Sequence, residues 1–500
     1  MKHIVLFGAG RSATVLIDYL KQTSTEIVCK VTVADADLET VQQKVGEHPL
    51  MKAFQVNIED EAQRRFLIGE ADVVISLMPP HLHYLIATDC LKEGKHLLTA
   101  SYVDEKIKAL EQQIEEKGLL FLCEMGLDPG IDHMSAMQLI EGIKAKGGTI
   151  TSFRSHCGGL VAPESDTNPW HYKISWNARN VITAGKAGAL YRENGNVVSL
   201  GYTQLFDPEK TVEVNDVLYS YYPNRDSLKY IATYNLEQID TFIRTTLRHP
   251  EFSFGWKNII DLRLTDEEKA YETDGMSLAD FFRQHFEKYG FSEWLSQMLV
   301  SRLSYAKEMM EKLMALIEAE EKAEEQGAEP PEEVMLVNEK GELNSVDVDG
   351  IKDKAAETVA LKMHEANLSM KHLFFLGMDD ESTIINKGFC SAADVLQFIF
   401  ETKLSLQPED QDQVVMLHEI DYTLDNLEHT VNSSLVVTGK DALHTAMAKT
   451  VGLPLGIAAK LIIEDQLKLT GLHIPTSATI YEPVLKELEQ HGIVFNDQSV

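Results

Sequence analysis

Behind Lys2-His3 the chain runs without a polar break from Ile4 to Phe7, the pattern of a strand buried in a parallel sheet. Gly8, Gly10 and Ala13 follow in G-x-G-x-x-A spacing. Thr14 to Gln22 then place Val15, Leu16, Tyr19 and Leu20 on one helical face. Further strand-like runs occur at Ile27 to Val33, Ala53 to Ile58, Ala71 to Met78, Lys95 to Thr99 and Leu119 to Glu124. Helical segments are expected from His81 through Cys90 and from Asp104 to Lys117. This alternation predicts a doubly wound α/β sheet. Pro79-Pro80 stops the fourth strand at its carboxyl end, the end at which open α/β sheets bind ligands.

After residue 140 the pattern changes. Thr149 to Ser155 alternate as a strand, and Cys157-Gly158-Gly159-Leu160 read as a glycine-rich turn. A polar loop, Ala162 to Trp170, and strands near Val197, Gly201 and Val212 predict an antiparallel α+β region. From Ser227 to about Asn367 the pattern is largely helical. Within it, Glu308 to Glu333 is dense in Glu, Lys, Met and Leu, which predicts an exposed acidic helix and a linker near Glu325 to Asp349. Strand character returns at Val414 to Asp421 and Ser433 to Thr438. A helix is expected from Ala442 to Thr450, with Leu443, Met447 and Val451 on one stripe. The end of the chain is expected to fold back onto the earlier domains.

The turn after the first strand carries the first chemistry. Gly8 permits a tight turn, Gly10 lets backbone approach a pyrophosphate, and Ala13 lets helix pack on strand. The helix N-terminus faces the phosphates. Asp35, at the tip of the second strand, is placed to accept hydrogen bonds from a ribose 2′-hydroxyl and to repel a 2′-phosphate. No arginine stands nearby, so NAD is expected rather than NADP. The competing reading of Asp35 is a solvated loop acid, and Asp37 is the neighbouring alternative.

Length allows two to four domains. A net charge of −32 argues against nucleic acid and anionic membranes as partners, and means that an anionic substrate needs a locally basic pocket. The five cysteines are scattered and lack metal-type spacing, which fits free thiols in a reducing compartment. His81 and His83 lack an acidic or thiol partner at ligand spacing and read as helix-entry residues, so no metal is expected. With a strand opening the sequence, no signal peptide is expected there, and no run of eighteen apolar residues is seen. A cytoplasmic location is expected.

Several stretches together resemble the saccharopine reductase family, the glutamate-forming saccharopine dehydrogenases. They are Gly8-Ala9-Gly10, His96 to Val103, Gly126-Leu127-Asp128-Pro129-Gly130-Ile131-Asp132-His133, Cys157 to Leu160, Tyr172 to Trp176, Tyr222-Pro223-Asn224-Arg225-Asp226-Ser227, Thr246-Leu247-Arg248 and Met447 to Gly452. The resemblance weakens between about Glu268 and Asn367. It implies an α/β fold of three domains: a Rossmann domain over residues 1–130, with about 440–470 packing back on it; an α+β substrate and dimerisation domain over 131–230 plus about 370–440; and a helical domain inserted at 231–369. One departure concerns the cofactor. Relatives that use NADP carry a basic residue after the second strand, where this chain has Asp35.

The substrate such a family acts on, saccharopine, joins lysine and glutamate through a secondary amine. Loss of hydride to a nicotinamide leaves an imine, which water splits into 2-aminoadipate semialdehyde and glutamate. A substrate with three carboxylates calls for arginine, whose planar fork holds a carboxylate bidentately. By resemblance, Arg225 and the segment Arg244, Thr245, Thr246 hold substrate, with Ser101, Tyr102 and Asp128 beside them; Arg248 reads as structural. Asp128, Tyr102 and Cys157 are the catalytic candidates. Asp128 can orient the amine or take its proton, Tyr102 can donate to a carboxylate or to water, and Cys157 is either near the reacting carbon or a buried small side chain. No His–Asp pair stands out as a general base. The cofactor positions implied are Gly8, Gly10, Arg11, Ser12, Ala13, Asp35, Asn57, Ile58, Ser76, Leu77, Met78, Ala100, Gly126, Leu127, Asp128 and Ser175. A homodimer is expected. The competing readings are a carboxynorspermidine or homospermidine synthase and a non-catalytic NAD-binding sensor.

Overall fold

A computed structural model describes residues 1–291, 293, 296, 304, 307, 310, 311, 314, 333–337 and 343–499. The first part alternates strand and helix: β1 (His3–Phe7), α1 (Thr14–Glu26), β2 (Lys30–Asp35), α2 (Leu38–Val45), β3 (Met51–Gln55), α3 (Glu61–Glu70), β4 (Val73–Ser76), α4 (His83–Glu93) and β5 (His96–Thr99). Two short helices, α5 (Glu105–Lys108) and α6 (Glu111–Glu116), lead to β6 (Leu120–Leu122) and α7 (Ile131–Ala145). Next come β7 (Thr149–Val161), α8 (Ala178–Thr183), β8 (Ala189–Glu193), β9 (Asn196–Leu200), β10 (Thr211–Val214), β11 (Val217–Pro223), β12 (Arg225–Asp226), α9 (Lys229–Thr233) and β13 (Thr241–Arg248). Then follow α10 (Pro250–Asp261), β14 (Lys269–Glu272), α11 (Leu278–Tyr289), β15 (Glu333–Val337), β16 (Leu343–Asp347), α12 (Val348–Leu376), β17 (Phe389–Ser391) and α13 (Ala392–Lys403). The chain closes with β18 (Asp412–Leu424), β19 (Leu427–Thr438), α14 (Ala446–Ile463), β20 (Gly471–His473), α15 (Ala478–Gln490) and β21 (Asn496–Ser499).

The first sheet is parallel throughout, in the order β20-β6-β5-β4-β1-β2-β3. Its strand order reverses between β1 and β4, and the crevice at such a switch point is where doubly wound sheets take their ligand. Ile4, Val5, Leu6 and Phe7 are all fully buried, as the apolar run requires. The second sheet is mixed. Its central path is β10-β11-β13-β7-β18-β19-β21, with β13 parallel to β7, and β8, β9 and β12 lie off that path. One core joins the two sheets, running from Ile4, Leu6 and Leu16 through α14 to Phe153 and Met416.

Contacts divide the described chain into two compact units. The first holds both sheets, in residues 1–167, 171–254 and 404–500; the second holds residues 168–170 and 255–403. The second unit contains α11, α12, α13 and two antiparallel strand pairs, β14 with β17 and β15 with β16. The inserted unit thus begins later than residue 231 and runs beyond 369, because residues 241–248 are not helical. They form β13, which pairs with β7 at the centre of the second sheet. The acidic helix expected at Glu308 to Glu333 falls largely outside the described residues. Of the linker expected near Glu325 to Asp349, the described parts are β15, β16 and the first residues of α12.

Three further expectations are corrected. Cys157-Gly158-Gly159 is not a turn but the interior of β7, which continues to Val161. The glycine is needed there for close approach, since a Cβ at Gly158 would meet Leu247 O at 2.8 Å. Asn57 and Ile58 lie beyond β3, where the Asn57 side chain accepts from Glu59 N ahead of α3. The helix expected at Ala442 starts at Ala446, capped by Thr445, so Leu443 stands outside it and is 64% exposed. This helix, Ala446–Ile463, is long and apolar enough to cross a membrane, with a mean hydropathy of 1.5, but 83% of it is buried inside the protein.

Candidate functional site

The turn after β1 is built to leave room in front of it. Gly8 has φ +103°, and a Cβ there would meet Leu77 O at 2.8 Å. At Gly10 a Cβ would meet nothing within 4 Å, so the space before the turn is open. The N–H groups of Gly10, Arg11 and Ser12 have no acceptor among the described residues, while Ala13 N donates back to Gly10 O. Unsatisfied amide donors at the start of a helix fit a pyrophosphate. Ala9 N donates to Asp35 Oδ2 at 2.7 Å, and Asp37 N to Asp35 Oδ1 at 3.2 Å. Arg11 reaches Ile174 O at 3.4 Å, next to the buried Ser175. The residues present therefore fit a nicotinamide dinucleotide, with Asp35 beside the turn.

Three strands deliver the other candidates to the carboxyl edge of the first sheet. Ser76 ends β4, and Leu77 and Met78 follow it; Ala100, Ser101 and Tyr102 follow β5. The loop after β6 carries Gly126, Leu127 and Asp128, and a Cβ at Gly126 would meet Ala100 Cβ at 3.0 Å. His83 ties two strand ends together: its Nδ1 lies 2.8 Å from Ser76 Oγ and its Nε2 2.7 Å from Ser101 Oγ. Burial pushes its imidazole down to about 4, which keeps it neutral. His83 is therefore more than a helix-entry residue.

Asp128 sits at the centre of a charge cluster. Arg244, rising from β13, places Nη2 2.5 Å from Asp128 Oδ1 and 2.6 Å from Asp132 Oδ2. Tyr102 donates to Asp128 Oδ1 at 3.3 Å. Burial raises Asp128 to about 6, with the Asp132 charge adding to the rise and Arg244 opposing it. Burial also acts to raise Asp132, but His133, Arg244 and the Gly130 N–H hold it below the usual carboxylate range. Two carboxylates thus share one guanidinium, with the environment acting to raise Asp128 and to lower Asp132. Arg244 Nε is buried without a partner among the described residues. Arg225 is exposed at φ +52° and lies over the Tyr102 ring at 5.0 Å; Lys229 lies over the same ring at 5.3 Å.

Beneath this cluster lies a second one that the sequence did not announce. His133 Nε2 is 2.8 Å from Glu124 Oε2, and His133 Nδ1 is 2.6 Å from Tyr234 Oη. Tyr230 donates to the same Glu124 oxygen at 3.0 Å, and its ring carries the Arg244 guanidinium at 4.5 Å. Although no His–Asp pair was expected, a His–Glu pair is present. Asp132 and His133 stand in a buried helix start, Ile131 to Met137, whose other residues are apolar but for Ser135, and that contrast was the available signal.

One candidate falls elsewhere than expected. Thr245 is fully buried, and its hydroxyl meets His156 Nδ1 at 2.7 Å, whose Nε2 meets Glu419 Oε2 at 2.9 Å. Alternation along β13 turns Thr245 to the face opposite Arg244, while Thr246, partly exposed, pairs with Cys157. Cys157 is buried, and burial, together with the charges of Asp128 and Asp132, pushes its thiol well above the usual range. It stays a neutral thiol.

Comparison with known proteins shows the family of the chain. Residues 4–122 match the saccharopine dehydrogenase NADP binding domain, and residues 126–493 match the saccharopine dehydrogenase C-terminal domain. The chain is 29% identical over 503 residues to a Saccharomyces cerevisiae protein named saccharopine dehydrogenase (NADP(+), L-glutamate-forming), covering 100% of this chain and 99% of that one. It is 29% identical over 517 residues to the alpha-aminoadipic semialdehyde synthase of Arabidopsis thaliana, covering 98% of this chain and 44% of the other. The mouse mitochondrial synthase gives 28% over 503 residues and 48% of its length, so this chain spans about half of such proteins. The fold is shared with apo histidine-tagged saccharopine dehydrogenase (L-Glu forming) from Saccharomyces cerevisiae, with a TM-score of 0.76 at 24% identity over 100% of both chains. The two family matches take in nearly the whole chain, and the protein belongs to the saccharopine dehydrogenase family of NAD(P)-dependent dehydrogenases.

Proposed function

We propose that the protein interconverts saccharopine with 2-aminoadipate semialdehyde and glutamate, using NAD in preference to NADP. The observation that carries this reading is the meeting of Asp128, Tyr102 and Arg244 at the carboxyl edge of the sheet that bears the dinucleotide turn, with Arg225 and Lys229 exposed next to them. The bound nicotinamide would accept hydride from the carbon attached to the secondary amine. The chain's own residues bind, orient and move protons. Arg225 and Lys229 offer positive charge to the substrate carboxylates, in a protein whose net charge is −32. The partnerless Arg244 Nε is a further donor for one of them. With its carboxyl near 6, Asp128 takes the proton of the amine in one direction and returns it in the other. Tyr102, hydrogen-bonded to Asp128, orients it; burial and the Asp128 charge raise the phenol, so it acts as a donor.

The preference for NAD rests on Asp35, whose carboxylate stands beside the turn where an adenosine ribose would lie. The Saccharomyces cerevisiae relative above carries NADP(+) in its name and residues 4–122 match an NADP binding domain, which makes the cofactor the sharpest point to test. Purified protein is offered saccharopine with NAD or NADP, and the semialdehyde plus glutamate with the reduced cofactors. Turnover with a higher kcat/KM for NAD is expected. Turnover of a diamine-derived imine in place of saccharopine would replace the substrate assignment, and a higher kcat/KM for NADP would overturn the cofactor assignment alone.

A further inference from the structure

Lys44, near the end of α2, is a half-buried cation that the reading so far does not use. Its Nζ lies 2.8 Å from Ala9 O and 2.7 Å from Gly10 O. The same Ala9 residue donates its N–H to Asp35 Oδ2 at 2.7 Å. The turn is therefore gripped from two sides by groups of opposite charge: a carboxylate on its amide and an ammonium on its carbonyls. This has a directional consequence. Each peptide plane holds N–H and C=O in roughly opposite directions. An ammonium that holds the two carbonyls behind the turn keeps the following N–H groups, those of Gly10 and Arg11, turned to the other side, and these have no acceptor among the described residues.

The charges around Lys44 are Asp35 and Asp18; burial lowers the amine, and both carboxylates act against that. Lys44 offsets part of the negative charge that Asp35 and Asp18 bring to this end of the site. A lone Asp35 would repel a 2′-phosphate outright. The Lys44 charge lessens that repulsion.

We propose that Lys44 is a positioning and specificity-determining residue of the dinucleotide site: it holds the Ala9 and Gly10 carbonyls away from the cofactor and, by its charge, offsets the Asp35 carboxylate that a 2′-phosphate would meet. The inference rests on reading the Gly8–Ala13 turn as the dinucleotide site. Its signature is coupling: the gain in NADPH affinity on removing the Asp35 charge depends on Lys44.

The test is direct binding of NADH and NADPH to the full chain, followed by cofactor fluorescence without substrate, for wild type, K44M, K44R, D35N and D35N/K44M. K44M should weaken both cofactors by about tenfold, NADPH more than NADH, as expected for losing contacts to a charged group. K44R keeps the charge and should restore most of the loss. D35N should strengthen NADPH by about tenfold when Lys44 is present, and by less than about twofold in the K44M background. A residue that merely stabilised α2 would change both cofactors alike and leave the NADPH-to-NADH ratio fixed. Equal NADPH gains from D35N in both backgrounds, or a K44M protein with unchanged affinities, would overturn the proposal. Should K44M not fold, the NADPH-to-NADH ratio decides through K44R and D35N: it should hold near wild type in K44R and rise in D35N, and a ratio unmoved by D35N overturns the proposal. Wild-type preference for NADPH would remove the NAD assignment while leaving the coupling test intact, and failure to bind either cofactor would remove the reading of the turn.

Discussion

Replacing Asp128 by Asn separates catalysis from stability at one position. The carboxyl is raised from an ordinary 3.8 to about 6, that is by about two units. At 1.36 kcal/mol per unit, keeping Asp128 ionised above that value costs the folded state about 3 kcal/mol. The sign follows from the direction of the shift. Between pH 4 and 6 the folded protein holds a proton that the unfolded chain has released, so stability falls as pH rises through this window, and the full cost applies above it. The amide cannot ionise and avoids the cost, while losing part of the short contact to Arg244 Nη2, which keeps Asp132. D128N should therefore match wild type or be slightly less stable at pH 5, and be equal or more stable at pH 8. Activity should move the other way. Loss of a positioned acid–base group costs about 10²- to 10⁴-fold, or roughly 3 to 5 kcal/mol of barrier. The wild-type kcat/KM for saccharopine oxidation should fall below about pH 6, and this limb should vanish in D128N. Melting temperatures at pH 5 and pH 8 and a pH profile of kcat/KM decide the matter. A variant within tenfold of wild type that keeps the acid limb, or one that loses more stability at pH 8 than at pH 5, would refute the reasoning.

Other outcomes follow from the same geometry. R225A should raise the KM for saccharopine by about 30- to 150-fold, corresponding to a lost charge-assisted contact of about 2 to 3 kcal/mol, with the Kd for NADH unchanged; an unchanged KM removes Arg225 from the substrate site. C157S should alter kcat/KM by less than about tenfold and leave the pH profile in place, because the thiol is buried and held neutral; loss of a titrating limb would restore Cys157 as a catalytic group. G8A forces a side chain into φ +103° against Leu77 O at 2.8 Å, which should cost about 1 to 3 kcal/mol in a thermal melt and weaken NADH binding; unchanged values for both would show that the turn relaxes freely.

What the sequence disclosed depended on how local each signal was. The run Ile4 to Phe7 and the spaced Gly8, Gly10 and Ala13 are written within a dozen residues, and the structure shows a strand, a turn and a helix there. Residues 241–248 misled because Thr241, Arg244, Thr245 and Arg248 break the apolar alternation, and their partners on β7 lie some ninety residues away. Cys157-Gly158-Gly159 misled because paired glycines usually punctuate chains; here they let Leu247 and Met447 approach the strand. Lys44 and His83 carry no local mark at all. Each acquires its role through a contact across the fold, Lys44 with a turn 34 residues distant and His83 with both Ser76 and Ser101.

The position of β20 bears on how the protein is made. This strand, Gly471–His473, forms the outer edge of the first sheet against β6, and α14 covers the same sheet through α1, β4 and β5. The sheet that bears the dinucleotide turn is thus finished by residues some 350 positions later in sequence. During synthesis the first 140 residues emerge with the edge of β6 unpaired and the faces of Leu16 and Tyr19 uncovered, a surface prone to association. Closing such a distant contact is slow. An isolated amino-terminal fragment cut at the apparent end of the α/β pattern would keep every residue of the turn and still lack its wall, so expression of the cofactor domain by itself should yield aggregates unless residues 446–473 are supplied with it.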